Sequence, residues 1–144
     1  MKVQLEWVGF GTERWKQLVE LRREVLRKPL GLEYTPAQLA EEEGQLHLGA
    51  WDKIQPMGCL ILKPAEGKTI VMRQVAVAVE AQGKGVGRSL VLEAEQEARR
   101  LGKTRITLHA RENARRFYER LGYHVEGTEF IEVGLPHRSM AKDL

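Results

Sequence analysis

Cysteine is almost missing from this 144-residue chain: Cys59 is the only one, so no intramolecular disulfide can form and packing must hold the fold, as suits a reducing cytoplasm. Long apolar runs are missing too. None approaches the roughly 18 residues of a membrane-spanning helix, and no basic-then-apolar leader opens the chain, so a cytoplasmic protein with no membrane partner is expected. No repeat, low-complexity tract or linker divides the sequence, and one compact domain, 1–144, is long enough to bury about two-thirds of its unfolded surface. The four histidines lack metal-ligand spacing, so no metal is expected. Charge of one sign is also scarce. The net value is +3, with Arg and Lys interspersed among Glu, and no aromatic platform accompanies Arg99, Arg100, Arg111, Arg115 and Arg116, so no nucleic-acid partner is expected.

What is present centres on residues 70–102. Ile70 to Val79 is β-branched and apolar for most of its length, the pattern of a strand buried on both faces. Gln82-Gly83-Lys84-Gly85-Val86-Gly87 follows, and behind it Val86, Leu90, Val91, Ala94, Ala98 and Leu101 recur at helical spacing up to Gly102, a C-terminal cap. A helix start carries unpaired N–H groups and partial positive charge, and glycines let a ligand approach the backbone, so this turn suits phosphate, with Lys84 and Arg88 adding charge. The alternative is a tight turn flanked by two solvated cations. Neither the phosphate-loop spacing Gly-x-x-x-x-Gly-Lys-Ser/Thr nor the dinucleotide spacing Gly-x-Gly-x-x-Gly is met.

The spacing Gln/Arg-x-x-Gly-x-Gly/Ala between a strand and a helix is met in full, and here the chain resembles the GNAT family of acetyl-CoA-dependent N-acetyltransferases. A second segment, Ala114 to Tyr123, is similar to that family's Ala-x-x-Phe/Leu-Tyr-x-x-Leu-Gly-Phe helix. The resemblance covers residues 70–144 and is weak before them. It implies acetyl-CoA as acetyl donor, held by Val75, Ala76 and Val77 on the strand and by Gln82, Gly83, Lys84, Gly85, Val86, Gly87 and Arg88 at the turn. It implies Tyr118 as the catalytic group serving the departing thiolate, and a main-chain N–H near 75–77 for the oxyanion. It departs from the family at Arg111, which stands where an Asn commonly contacts the cofactor arm; Asn113 lies two positions later, and which of the two touches the cofactor stays open.

The acceptor implied is an amine on a small molecule or peptide, attacked directly in a ternary complex; the other reading is a module that binds acetyl-CoA to regulate or assemble without catalysing. Glu33, Glu80, His109 and His137 are candidates for the general base, none fixed by a motif. Residues 30–34 and the Pro136-His137 turn are expected to border the amine pocket. A homodimer is the default assembly.

The remaining elements follow from periodicity. Strands are expected at Lys2–Val8, Leu46–Ala50, Gly58–Lys63, Arg105–His109, Tyr123–Glu132 and His137–Lys142. Helices are expected from the Thr12 cap to near Pro29, from Thr35 to Glu43 and from Ala114 to Leu121. The helix between the central strand and Arg105–His109 supplies a crossover, making that pair parallel. The fold class expected is α/β (α+β): a mixed, mostly antiparallel sheet with helices on both faces, whose central parallel strands, by the resemblance, splay apart.

Overall fold

The computed structural model describes residues 1–144. Its strands are β1 (Gln4–Val8), β2 (Leu46–Asp52), β3 (Gln55–Pro64), β4 (Thr69–Val77), β5 (Arg105–Arg111), β6 (His124–Glu132) and β7 (Leu135–Asp143), and its helices are α1 (Glu13–Arg22), α2 (Pro36–Ala40), α3 (Val86–Arg100) and α4 (Arg115–Arg120). All seven strands join one sheet in the order β1-β2-β3-β4-β5-β7-β6. Every neighbouring pair is antiparallel except β4 and β5, which the α3 crossover makes parallel.

Helices cover both faces. On β2, a Cβ at Gly49 would lie 2.4 Å from the Trp51 ring and 2.8 Å from Leu18 of α1, while on β3 a Cβ at Gly58 would lie 2.8 Å from Leu90 of α3. Gly49 pairs with Cys59, the neighbour of Gly58, so the two glycines point to opposite sides and each lets a helix close on the sheet. The α3 side holds the larger core, including Leu48, Leu60, Leu62, Ile70, Met72, Leu90 and Ile106. The α1 side adds a smaller cluster of Leu18, Trp51, Cys59 and Ala76.

Local signals were accurate where the chemistry is local. The Thr12 side chain accepts the Trp15 N–H, and Thr35 and Gln38 form a reciprocal capping box with Pro36 behind it. After α3 and α4 the chain turns through left-handed Gly102 and Gly122, and Lys103 and Tyr123 bond back to the carbonyls of Ala98 and Tyr118. The helix expected to run to Pro29 does not stay regular. It ends at Arg22 and passes through one wide turn, Arg23–Arg27, closed by Lys28 N–H on Arg23 O, and then a tight one, Lys28–Leu30, where Pro29 has no N–H to continue the ladder. The central strand is buried on its α3 side but only half-buried across much of the other, which floors a groove.

One pH response is built into this frame. Buried His47 on β2 places Nε2 3.0 Å from the Glu42 carbonyl, and burial holds its pKa below the ordinary 6.5. Below about pH 6.5 the unfolded chain therefore binds more protons than the folded one, so this contribution is complete above that value and is lost as pH falls. Glu33 and Glu97, held low chiefly by bonds from Arg23 and Arg100, act only below their ordinary value of 4.5. Melting temperature should fall between about pH 6.5 and 5, and less steeply in His47→Gln; a flat parental profile over that window would show that the ring is not held neutral.

Candidate active site

The two central strands part early. Their parallel pairing covers only Thr69–Val71 against Arg105–Thr107, and beyond that they diverge. A cavity of about 700 Å³ fills the opening and runs to the start of α3. It brings together Val75, Ala76, Val77, Gln82, Gly83, Gly85, Val86, Gly87, Arg88 and Tyr118. Lys84, expected among them, is exposed at the turn and is not part of the lining.

The glycines of the turn do different work. Gly83 and Gly85 have φ of 76° and 85°, and a Cβ at either would meet nothing within 4 Å, so the backbone lies open to the cavity side. Gly87 is packed instead: a Cβ there would sit 3.1 Å from the Phe117 ring, so this glycine lets α4 lie against α3. The first bond of α3 runs from Ser89 N–H to Gly85 O at 3.1 Å, leaving the N–H groups of Val86, Gly87 and Arg88 ahead of it. Gln82 turns inward, its Nε2 donating to Val77 O at 3.0 Å, which ties the turn to the end of β4. Arg88 and Lys84 are exposed and form no ion pair.

Midway along β4 the pairing with β3 slips: Arg73 faces Ile61 and Ala76 faces Cys59, so Gln74 and Val75 stand opposite Leu60 alone. Gln74 has φ of 55°, a left-handed value rare for a side-chain-bearing residue, and the bulge redirects the strand where the opening begins. Tyr34 fixes it by donating from Oη to Gln74 Oε1 at 2.7 Å. The Arg22 and Arg27 guanidiniums lie 4.8 and 4.6 Å from the Tyr34 ring centre, and burial pushes its phenol up to about 12. No motif marks this bulge, although Arg73-Gln74 is the only polar break in 70–79 and two adjacent polar residues in a buried strand mark a change of register.

The three tyrosines differ in what their hydroxyls do. Tyr34 is engaged by Gln74, and Tyr123 donates to Glu95 Oε2 at 2.9 Å in a buried cluster with Lys142. Tyr118 is 6% exposed, lines the cavity, and its hydroxyl has no partner within the chain. Burial raises its pKa far above the ordinary range, so it remains a proton donor at every physiological pH.

Of the base candidates, His109 and His137 line the cavity, whereas Glu33 is paired with Arg23 at the surface and Glu80 lies exposed beyond β4. Glu132, absent from the sequence-based candidates, joins the two histidines: its Oε1 is 3.0 Å from His109 Nδ1 and its Oε2 is 3.6 Å from His137 Nε2. His137 Nδ1 meets Leu135 O at 2.8 Å, which fixes that ring. Only the β6–β7 hairpin brings Glu132 to β5, so no local motif marks it. Of the expected acceptor border, Tyr34 lines a second groove and His137 the first cavity, while Leu30 to Glu33 and Pro136 line neither. Arg111 and Asn113 both line the first cavity, and Arg111 also donates to Leu26 O at 2.9 Å, tying β5 to the wide turn after α1.

Comparison with known proteins agrees with this architecture. Residues 20–144 match the family model described as an acetyltransferase (GNAT) domain. Uncharacterized N-acetyltransferase YjcF of Bacillus subtilis is 30% identical over 139 residues, covering 91% of this chain and 94% of that protein. YyaT of the same organism is 29% identical over 68% of this chain, and the chain spans 66% of its length. Among solved structures, an acyl-CoA N-acyltransferase from Pseudomonas aeruginosa superposes with a TM-score of 0.81 at 24% identity, over 98% of this chain and 99% of that one. A Bacillus subtilis acetyltransferase in complex with CoA gives 0.78 at 20% identity, over 99% of each chain. At these identities the superpositions bear on fold, and they share it from end to end. With a family model matching residues 20–144 and a full-length relative at 30% identity, the chain belongs to the GNAT acetyltransferase family.

Proposed function

We propose that residues 1–144 form a single domain that transfers an acetyl group from acetyl-CoA to a primary amine, by direct attack in a ternary complex. The observation that carries this reading is the cavity itself, which runs from the open glycine backbone at the start of α3 into the gap between β4 and β5, past an unengaged Tyr118 hydroxyl. The solved CoA complex of a neighbour with the same fold supports the choice of donor.

Amide formation requires a neutral amine, support for the oxyanion and a proton for the thiolate. The N–H groups of Val86, Gly87 and Arg88, with the side chain of Arg88 and the nearby charge of Lys84, suit the donor's phosphates. Val75, Ala76 and Val77 border the gap where the acyl group would lie, and a main-chain N–H there holds an oxyanion without reorganising. Tyr118 supplies the proton to the sulfur. His109, oriented by the contact of its Nδ1 with Glu132 Oε1, accepts the proton of the amine. The free Tyr118 hydroxyl favours this catalytic reading over a module that only binds the donor.

The test is calorimetric titration with acetyl-CoA and a thiol-release assay over amines. Arg88 is exposed and unpaired, so Arg88→Glu should leave melting temperature unchanged while weakening acetyl-CoA about tenfold to a hundredfold, the range for a lost charge-assisted contact. Unchanged affinity would place the phosphates elsewhere.

A further inference from the structure

A second groove of about 830 Å³ lies on the α1 side of the sheet and shares Arg27, Arg73, Gln74, His109 and Glu132 with the first cavity. The two spaces therefore meet where β4 and β5 part. Register places Arg73 and His109 on the α1 face: Arg73 pairs with Ile61, which pairs with His47, in line with Gly49 beneath α1, and His109 lies two residues beyond Thr107, the partner of Val71.

The charges of this groove are unevenly satisfied. Its carboxylates are mostly engaged: Glu42 by Arg22, Glu126 by Arg105, and Glu132 by the two histidines. Glu41, at the exposed rim, is the one without a partner. Its two arginines are held but not neutralised, and exposed Lys63 has no carboxylate partner. Arg27 donates from Nη2 to Glu33 O at 2.9 Å, stacks on Tyr34 and has a buried Nε with no partner. Arg73 donates from Nη1 to Gln45 Oε1 at 3.0 Å. Neutral partners fix both guanidiniums in orientation and leave their charge for something else, and the guanidinium fork suits carboxylate or phosphate. A polycationic acceptor would bring a second ammonium against them.

We infer that the acceptor is a small primary amine that also carries an anionic group, carboxylate or phosphate, seated with its amine toward His109 and Glu132 and its anion toward Arg27 and Arg73. This rests on the acetyltransferase reading above and specifies its substrate class. Glu132 then has two tasks, holding His109 and facing the incoming ammonium.

Matched amines test it in the thiol-release assay with acetyl-CoA: γ-aminobutyrate against butylamine, O-phosphoethanolamine against ethanolamine, and spermidine as the polycation. The anionic member of at least one pair should have kcat/KM about tenfold to a hundredfold above its neutral counterpart, and which pair shows it separates carboxylate from phosphate. That ratio should collapse toward one in Arg73→Gln and in Arg27→Gln, with acetyl-CoA affinity, read by calorimetry, close to parental. Spermidine or the neutral amines at or above the anionic ones, or a ratio unmoved by both substitutions, would overturn the acceptor class while leaving the transferase intact. Binding of acetyl-CoA without thiol release from any amine would instead remove the transferase reading, and the acceptor class with it.

Discussion

Tyr118→Phe is expected to lower turnover about 10²–10⁴-fold, the usual contribution of a positioned general acid, provided leaving-group departure limits the rate. The substitution keeps the ring, which packs edge-on against Phe117 at 5.0 Å and Tyr123 at 5.8 Å, and removes only the oxygen. That oxygen has no partner in the folded chain, so its loss strands no donor or acceptor and melting temperature should change little. Acetyl-CoA affinity should also hold, because the phosphate site proposed above lies at the start of α3 rather than on α4. A thiolate has a reference pKa of about 8.5, below that of any phenol, so the tyrosine serves the sulfur as a hydrogen-bond donor that stays protonated at neutral pH and gives up its proton only as negative charge builds beside it. Burial keeps Tyr118 in that protonated form. Parental turnover in the Phe variant, with chemistry shown to limit the rate, would take the tyrosine out of the mechanism.

A second large effect concerns stability and the shape of the groove on the α1 side. Arg22 Nη2 donates to both carboxylate oxygens of Glu42, at 2.6 and 2.7 Å, with the two side chains only 3% and 4% exposed. Glu42→Gln should cost about 3–5 kcal/mol, because it leaves a buried guanidinium with no counter-charge. Against a total of roughly 5–15 kcal/mol for a domain, that removes much of the margin. Denaturant midpoints should shift accordingly, and Arg22→Met combined with Glu42→Leu should recover most of the loss, since a well-packed apolar pair replaces a desolvated ionic one. A cost near 1 kcal/mol in Glu42→Gln would mean that solvent reaches the pair. Arg22 also lies over Tyr34, which holds the bulge at Gln74, so Glu42→Gln should loosen the groove on the α1 side before the cavity at the start of α3.

How far the site could be read in advance depended on how far apart its parts lie in the chain. Within one segment the residues stay together: all but one of the ten expected to hold the donor, from 75–77 and 82–88, line one cavity, and Tyr118 lines it with them. Lys84 is the exception, its place on the outer side of a turn being a matter of dihedral angles rather than residue type. Gly87 also carries a packing demand that the spacing does not reveal: a Cβ there would sit 3.1 Å from the ring of Phe117, thirty residues on. Glu132, Arg27 and Arg73 had no motif. They reach the site from the β6–β7 hairpin, the wide turn after α1 and a bulge, and each acquires its role from partners remote in sequence.

The sequence by itself determined the elements and the start of α3. Apolar periodicity, Thr12, the Thr35/Gln38 box and the glycines at 83, 85, 102 and 122 act through bonds spanning a few residues, which any folded context preserves. It also determined, through one strand-turn-helix spacing and one helix motif, the family to which the chain belongs. Only the tertiary structure decided where β4 and β5 separate, which histidine shares a carboxylate, and which arginines keep an unpaired charge. Those are outcomes of strand register, a bulge and burial, set by long-range packing that no local spacing encodes.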